Sequence, residues 1–240
     1  MSIMKHLLIV LSFFIFTNTS AQYGMLNGTG YAPNVTVVDL NGVTHDVYEY
    51  LDSGYVVVLE LVSASCATCA AYAAGTENSY NLYGPGGNNS ARFIGLETNS
   101  NTTNTMVSNF ASTYGITFPI ANNIVPANIN YQLYYTPGYY VIYPDTSYTT
   151  ICPLYCVTTS TSSSIENDLN TAISSAIGCT DSTATNYNPN VKIDDGSCIY
   201  KGCTDSIANN YNYNATIDDG SCLYDIYGCM DSSANNYNSN

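Results

Sequence analysis

Residues 55–72 read Tyr-Val-Val-Val-Leu-Glu-Leu-Val-Ser-Ala-Ser-Cys-Ala-Thr-Cys-Ala-Ala-Tyr. The first eight follow Gly54 and, apart from Glu60, are apolar and rich in β-branched side chains, the pattern of a strand buried in a sheet. After Cys66 alanine dominates and a helix is expected. Cys66 and Cys69 therefore stand at a strand-to-helix turn. A thiol there faces unpaired backbone N–H groups and the positive end of the helix dipole, both of which stabilise the thiolate. Cys66 is the expected attacking sulfur, and Cys69, one turn further into the helix, the resolving one.

This segment resembles the active-site stretch of thioredoxin-like proteins, and among them the secreted TlpA-like branch. The resemblance extends to Glu60, six residues before Cys66, where thioredoxins carry a buried acid that exchanges a proton with the second cysteine. A carboxylate so placed is desolvated and its pKa raised, which suits proton exchange near neutral pH. Thr136-Pro137, ahead of Gly-Tyr-Tyr-Val-Ile-Tyr, is similar to the family's cis-proline loop, which implies an edge of backbone that docks a substrate chain beside the cysteines. Ser65 and Thr68 stand where the family usually has tryptophan and proline, and the chain has no tryptophan.

The order of elements agrees with that resemblance. Residues 32–40 alternate and turn at Asn41-Gly42, a hairpin signal, with a return strand expected over 43–48. This hairpin resembles the N-terminal addition of TlpA-like and peroxiredoxin-like proteins. The helix from Cys66 is expected to stop near Gly84-Pro85-Gly86-Gly87. A strand over 92–96, a helix over 106–114 ending at Gly115, a strand over 116–120, a short helix over 127–134 and strands over 138–143 and 147–152 follow. Ile165, Leu169, Ala172, Ile173 and Ile177 recur at helical intervals and predict a last helix. The predicted class is α/β, a thioredoxin-like central mixed sheet with helices on both faces.

Composition restricts the partners. Four Lys and Arg stand against eighteen Asp and Glu, so repulsion disfavours nucleic acid and anionic membranes. Residues 1–21 place Lys5 and His6 before an apolar run over 7–16 and end in Thr19-Ser20-Ala21, a signal-peptide pattern. The mature chain is expected to have no membrane span and to be exported, whether to a periplasm, a cell surface or the extracellular space. Nine cysteines in an exported chain favour disulfides, with one left over.

The domain over 22–177 gives way to an internal repeat. Unit one, 178–201, opens Gly-Cys-Thr-Asp and closes Asp-Asp-Gly-Ser-Cys; unit two, 202–227, does the same; a third, 228–240, opens Gly-Cys-Met-Asp and stops before its closing motif, so the chain is expected to be a fragment or a truncated frame. That would leave Cys229 as the odd cysteine. The units resemble the Gly-Cys-Thr-Asp repeats of secreted bacterial surface proteins. A unit of this size cannot bury a core, so a staple is expected between Cys179 and Cys198 and between Cys203 and Cys222, with pairing between neighbouring units as the alternative.

Other candidates carry alternative readings. Cys152 and Cys156 suggest a local disulfide; a second redox pair, or a zinc site shared with Cys66 and Cys69, are the sharper alternatives. Asp181, Asp194 and Asp195, with Asp205, Asp218 and Asp219 in unit two, are either calcium ligands or residues of tight turns. His45 is expected to be a surface residue of the hairpin. The favoured function is a cofactor-independent thiol-disulfide oxidoreductase acting on a disulfide-containing protein or small thiol, with an unidentified redox partner. The alternatives are a non-catalytic surface protein with calcium-binding or adhesive repeats and, further off, a peroxiredoxin-like peroxidase suggested by Ser63.

Overall fold

The computed structural model describes residues 30–131, 133, 135–151, 161–225, 228 and 231–237. The signal-peptide segment, Tyr134, Cys152, Cys156 and Cys229 lie outside the described residues.

The chain opens with an antiparallel hairpin, β1 (Thr36–Val38) and β2 (Thr44–Asp46), turning at Gly42, whose φ is +81°. The return strand is shorter than the expected 43–48 because Asp46 caps a helix. Its carboxylate accepts the Glu49 N–H, and α1 (Val47–Asp52) follows, burying Val47 and Leu51 on one face. Local capping outweighs the extended pattern there.

The strand predicted around Glu60 is β3 (Val56–Val62), buried along its whole length. Its alternate residues feed two cores. Val56, Val58 and Val62 face one cluster, and Val57, Leu59 and Leu61 the other. The chain continues through α2 (Ala67–Tyr83), β4 (Ala91–Glu97), α3 (Asn104–Tyr114), β5 (Ile120–Ala121), β6 (Gly138–Ile142), β7 (Tyr148–Ile151) and α4 (Ser162–Ser174). The sheet order is β5-β4-β3-β6-β7, with β4 parallel to β3 and β6 antiparallel to it. Residues of α2, α3 and α4 pack on one face, and hairpin residues, α1 and the side chains of Ile124, Ile129, Tyr131 and Leu133 on the other. This is a thioredoxin-like fold, a mixed central sheet covered on both sides.

Two predicted elements contract. The strand over 116–120 is reduced to Ile120–Ala121, because the Thr117 backbone N–H and hydroxyl are both taken by the buried Glu77 carboxylate. The helix over 127–134 is a single 3-10 turn, Pro126–Asn128, with Asn130 at φ +58°. Helix α3 ends at Gly115, whose φ of +71° is the left-handed cap that glycine adopts without strain. Ile177, expected in the last helix, belongs instead to β8 (Ile177–Gly178), which pairs in parallel with β9 (Ile193–Asp194).

The same arrangement recurs one unit later as β10 (Lys201–Gly202) and β11 (Ile217–Asp218). Disulfides join Cys179 to Cys198 and Cys203 to Cys222, each within its own unit. Unit one is docked on the sheet domain. The N–H groups of Lys192 and Ile193 donate to the Ala176 carbonyl, Lys192 pairs with Asp145 at 2.8 Å, and Ile177 and Ile193 pack against the core.

Candidate active site

Strand β3 delivers the chain to residues 63–66, and Cys66 is the N-cap of α2: its sulfur accepts the Cys69 N–H at 3.3 Å. Both cysteines are thiols, Cys66 partly exposed and Cys69 buried beneath it. Because β6 runs antiparallel to β3, with Gly138 opposite Leu61, the residues just before β6 arrive beside the loop that follows β3. That register brings the Thr136 carbonyl within 3.3 Å of Cys66 Sγ, and the Thr136–Pro137 peptide bond is cis.

The two thiols are driven apart electrostatically. Burial opposes a Cys66 thiolate, but hydrogen bonds from the Cys69 thiol, the Thr136 side chain and the N–H groups of Cys69 and Thr68 outweigh it and hold Cys66 below the ordinary thiol range. As a thiol, Cys66 donates to the Thr136 carbonyl; as a thiolate it can only accept, and it is the accepting interactions that lower its pKa. Burial pushes Cys69 well above the ordinary range, and its bond to Cys66 and the charge of Glu60 add to that.

Glu60 is 3% exposed, on the face of β3 that packs against α2. Burial raises its pKa to about 7, and the hydrogen bond from Tyr139 only partly offsets this. Tyr139 Oη donates to Glu60 Oε1 at 3.0 Å, and the Thr76 hydroxyl lies 2.9 Å from Tyr139 Oη. The site thus has a partly exposed sulfur whose thiolate is favoured, a buried sulfur whose thiol is favoured, and a buried acid with a raised pKa.

Sequence reading did not single out Glu97. It is fully buried at the end of β4, and its carboxylate accepts the Ala64 N–H at 2.6 Å and the Asn99 N–H at 2.9 Å, pinning the loop that carries Cys66. The available signal was an acid at the end of an apolar strand. His45 corrects an expectation. It is 6% exposed, not a surface residue, because the β1–β2 turn folds Asp39 back onto Nε2 at 3.2 Å and the Tyr50 hydroxyl meets Nδ1 at 2.7 Å.

Among the described residues, no three His, Cys, Asp or Glu side chains converge as a metal cluster would. In the repeats, Asp194, Asp195, Asp218 and Asp219 each accept a backbone N–H two residues on. Asp181 and Asp205 accept the hydroxyls of Tyr200 and Tyr224 at 2.6 and 2.7 Å. No described helix is long and apolar enough to cross a membrane.

Solved structures similar to this chain include a secreted Mycobacterium tuberculosis disulfide oxidoreductase homologous to E. coli DsbE, at 18% identity over 58% of this chain and 94% of that one, with a TM-score of 0.47. A thiol:disulfide interchange protein of the thioredoxin family from Chlorobium tepidum is similar at 15% identity over 60% and 95%, with a TM-score of 0.48. The peroxidoxin BcpB of Mycobacterium tuberculosis is similar at 13% identity over 60% and 94%, with a TM-score of 0.45. No family model matches the chain, and no curated protein matches it.

Proposed function

We propose that this chain is an exported thiol-disulfide oxidoreductase working through Cys66 and Cys69. The observation that carries the reading is the N-cap position of Cys66, its sulfur partly exposed, hydrogen-bonded by the Cys69 N–H and 3.3 Å from the Thr136 carbonyl. The Cys66 thiolate attacks one sulfur of a substrate disulfide, forming a mixed disulfide and expelling the other substrate sulfur as a thiolate, which takes up a proton. Glu60 as carboxylate accepts the Cys69 proton. The Cys69 thiolate then attacks Cys66 Sγ, releasing the second substrate sulfur and leaving a Cys66–Cys69 disulfide. Two electrons pass from the dithiol to the substrate, and an external dithiol must restore them; run backwards, the same steps oxidise a substrate. The Thr136-Pro137 edge is the proposed docking strip for the substrate chain.

Export is part of the proposal. It rests on the signal-like pattern of residues 1–21 and on repeats stapled by disulfides, a device suited to an oxidising compartment. Disulfide exchange against insulin or a dithiol dye tests the reaction. Cys66→Ser is expected to abolish it, and retained turnover in that variant rejects the mechanism and leaves the non-catalytic scaffold.

A further inference from the structure

A second group of polar side chains lies at the other end of the sheet. Arg92 is the second residue of β4, which runs parallel to β3, whereas Cys66 follows the end of β3, so most of a seven-residue strand separates them, roughly 20 Å. Strand β5 pairs with β4 only at Gly95 and Leu96, which leaves the first half of β4 as an edge on that side. The Arg92 guanidinium folds over this edge. Its Nη1 donates to the Ala91 carbonyl at 2.9 Å, and it sits 3.5 Å above the Tyr55 ring and 5.9 Å from the Tyr50 ring centroid.

In a chain with eighteen acids and four bases, Arg92 makes no ion pair among the described residues. One of its five N–H donors is used by Ala91, and the others have no hydrogen-bond partner among the described residues. The Tyr80 hydroxyl, on the same cleft, makes no hydrogen bond among the described residues; its ring is held edge-on against Phe93 and Phe118. Arg92 and Tyr80, with His45, Tyr50, Pro85, Phe93 and Pro119, line a cavity of about 160 Å³.

The cleft has a brace. Asp39, fixed by the N–H groups of Asn41 and Val43, meets His45, and His45 meets the Tyr50 hydroxyl. This buried relay holds the Tyr50 ring near the guanidinium and engages the Tyr50 hydroxyl, so the lining donors with no partner among the described residues are those of Arg92 and Tyr80.

We propose that this cleft binds a small carboxylate with a flat apolar body, the carboxylate on the Arg92 guanidinium and the Tyr80 hydroxyl and the body against Phe93 and Pro119. The guanidinium fork matches a carboxylate in two parallel bonds; the rest of the lining is Tyr50, Pro85, Phe93, Pro119 and His45, whose two ring nitrogens are paired with Tyr50 and Asp39. A dianion such as phosphate fits less well, because the polar atoms of His45 and Tyr50 in the lining are already paired with each other and with Asp39, and the chain's net charge of −14 opposes a second negative charge.

The test is an amide NMR titration of the full chain with benzoate, with benzamide as the uncharged isostere and inorganic phosphate as the dianion. Benzoate is expected to shift the Tyr50, Arg92 and Phe93 amides saturably, benzamide to leave them unmoved, and phosphate to bind more weakly than benzoate. Arg92→Gln should weaken benzoate at least tenfold, and Tyr80→Phe, which removes only a hydroxyl and keeps the fold readable if the arginine variant does not fold, several-fold. Cys66→Ser should bind as the parent does, which separates this site from the proposed redox reaction. The proposal is overturned by non-saturable shifts, by equal binding of benzamide, by phosphate binding the tighter, or by Tyr80→Phe and a folded Arg92→Gln both binding as the parent.

Discussion

Tyr139 and Glu60 face each other across the β3–β6 ladder, and the tyrosine hydroxyl donates to the carboxylate at 3.0 Å inside the core. The pairing keeps an acid where water does not reach, with a folded-state pKa near 7 against an ordinary value of 4.5. Between those values the native protein holds a proton that the unfolded chain has released. Stability contributed by the neutral acid is therefore complete below about pH 4.5 and is lost as pH rises to about 7 and just beyond. A shift of that size corresponds to about 3 kcal/mol. Glu60→Gln, which retains an acceptor for Tyr139, should gain up to that amount on the parent between pH 4 and pH 8 in urea unfolding. A stability difference between the two proteins that does not change with pH contradicts the assignment.

The same carboxylate predicts a kinetic signature. If Glu60 takes the Cys69 proton, Glu60→Gln should slow decay of the mixed disulfide by about 10²-fold or more and remove an inflection near pH 7 from that step. Cys69→Ser should accumulate the mixed disulfide at Cys66, seen as a mass increase on the intact protein. Rapid release of substrate by Cys69→Ser would place the resolving sulfur elsewhere.

Gly75 lies within α2, where replacing glycine by alanine ordinarily stabilises a helix by about 1 kcal/mol. Here the sign should reverse. An added Cβ would stand 2.0 Å from the Ser162 carbonyl oxygen at the start of α4, so the two helices must separate. Gly75→Ala is expected to destabilise by about 1–3 kcal/mol in chemical denaturation. A neutral or stabilised variant would show that α2 and α4 do not pack this closely.

The unit-two disulfide spans a sequence separation of 19, for which loop-closure entropy amounts to roughly 3 kcal/mol. A unit with so little buried surface should not hold without it. Replacing both Cys203 and Cys222 by alanine is expected to open unit two to limited proteolysis while the melting temperature of the sheet domain stays unchanged. Protection of unit two equal to the parent would assign its stability to packing.

Calcium and turn roles for the repeat aspartates make opposite predictions. The carboxylates of Asp194 and Asp195 cap backbone N–H groups, and that of Asp181 accepts a tyrosine hydroxyl, so each already has internal partners. Millimolar calcium is expected to leave the thermal unfolding of the units unchanged. A rise that EDTA reverses would assign the same aspartates to the ion.

Much of the scaffold was legible because local patterns and tertiary demands agree. The apolar run around Glu60, the alanine-rich start after Cys66 and the left-handed cap at Gly115 each specify their own segment with little outside help. Where they disagree, a side-chain hydrogen bond decides: Glu77, from another element, takes the Thr117 donors and cuts the predicted strand short, and Asp46, within its own segment, caps a helix where a strand was expected. Periodicity carries no information on such bonds. His45 was misplaced for the same reason, since only the closed hairpin brings Asp39 and Tyr50 to its two nitrogens.

Sequence by itself determined that two thiols occupy a strand-to-helix turn, that an acid interrupts a buried strand, and that a repeat with two cysteines per full unit follows, because each is read from neighbours in the chain; that each unit closes on its own cysteines was decided by the structure. Only tertiary structure decided which groups tune those thiols. Strand register brings Thr136 to Cys66 and Tyr139 to Glu60; burial in the assembled sheet and helices makes Cys69 retain its proton, while hydrogen bonds to Cys66 overcome burial there and favour its thiolate.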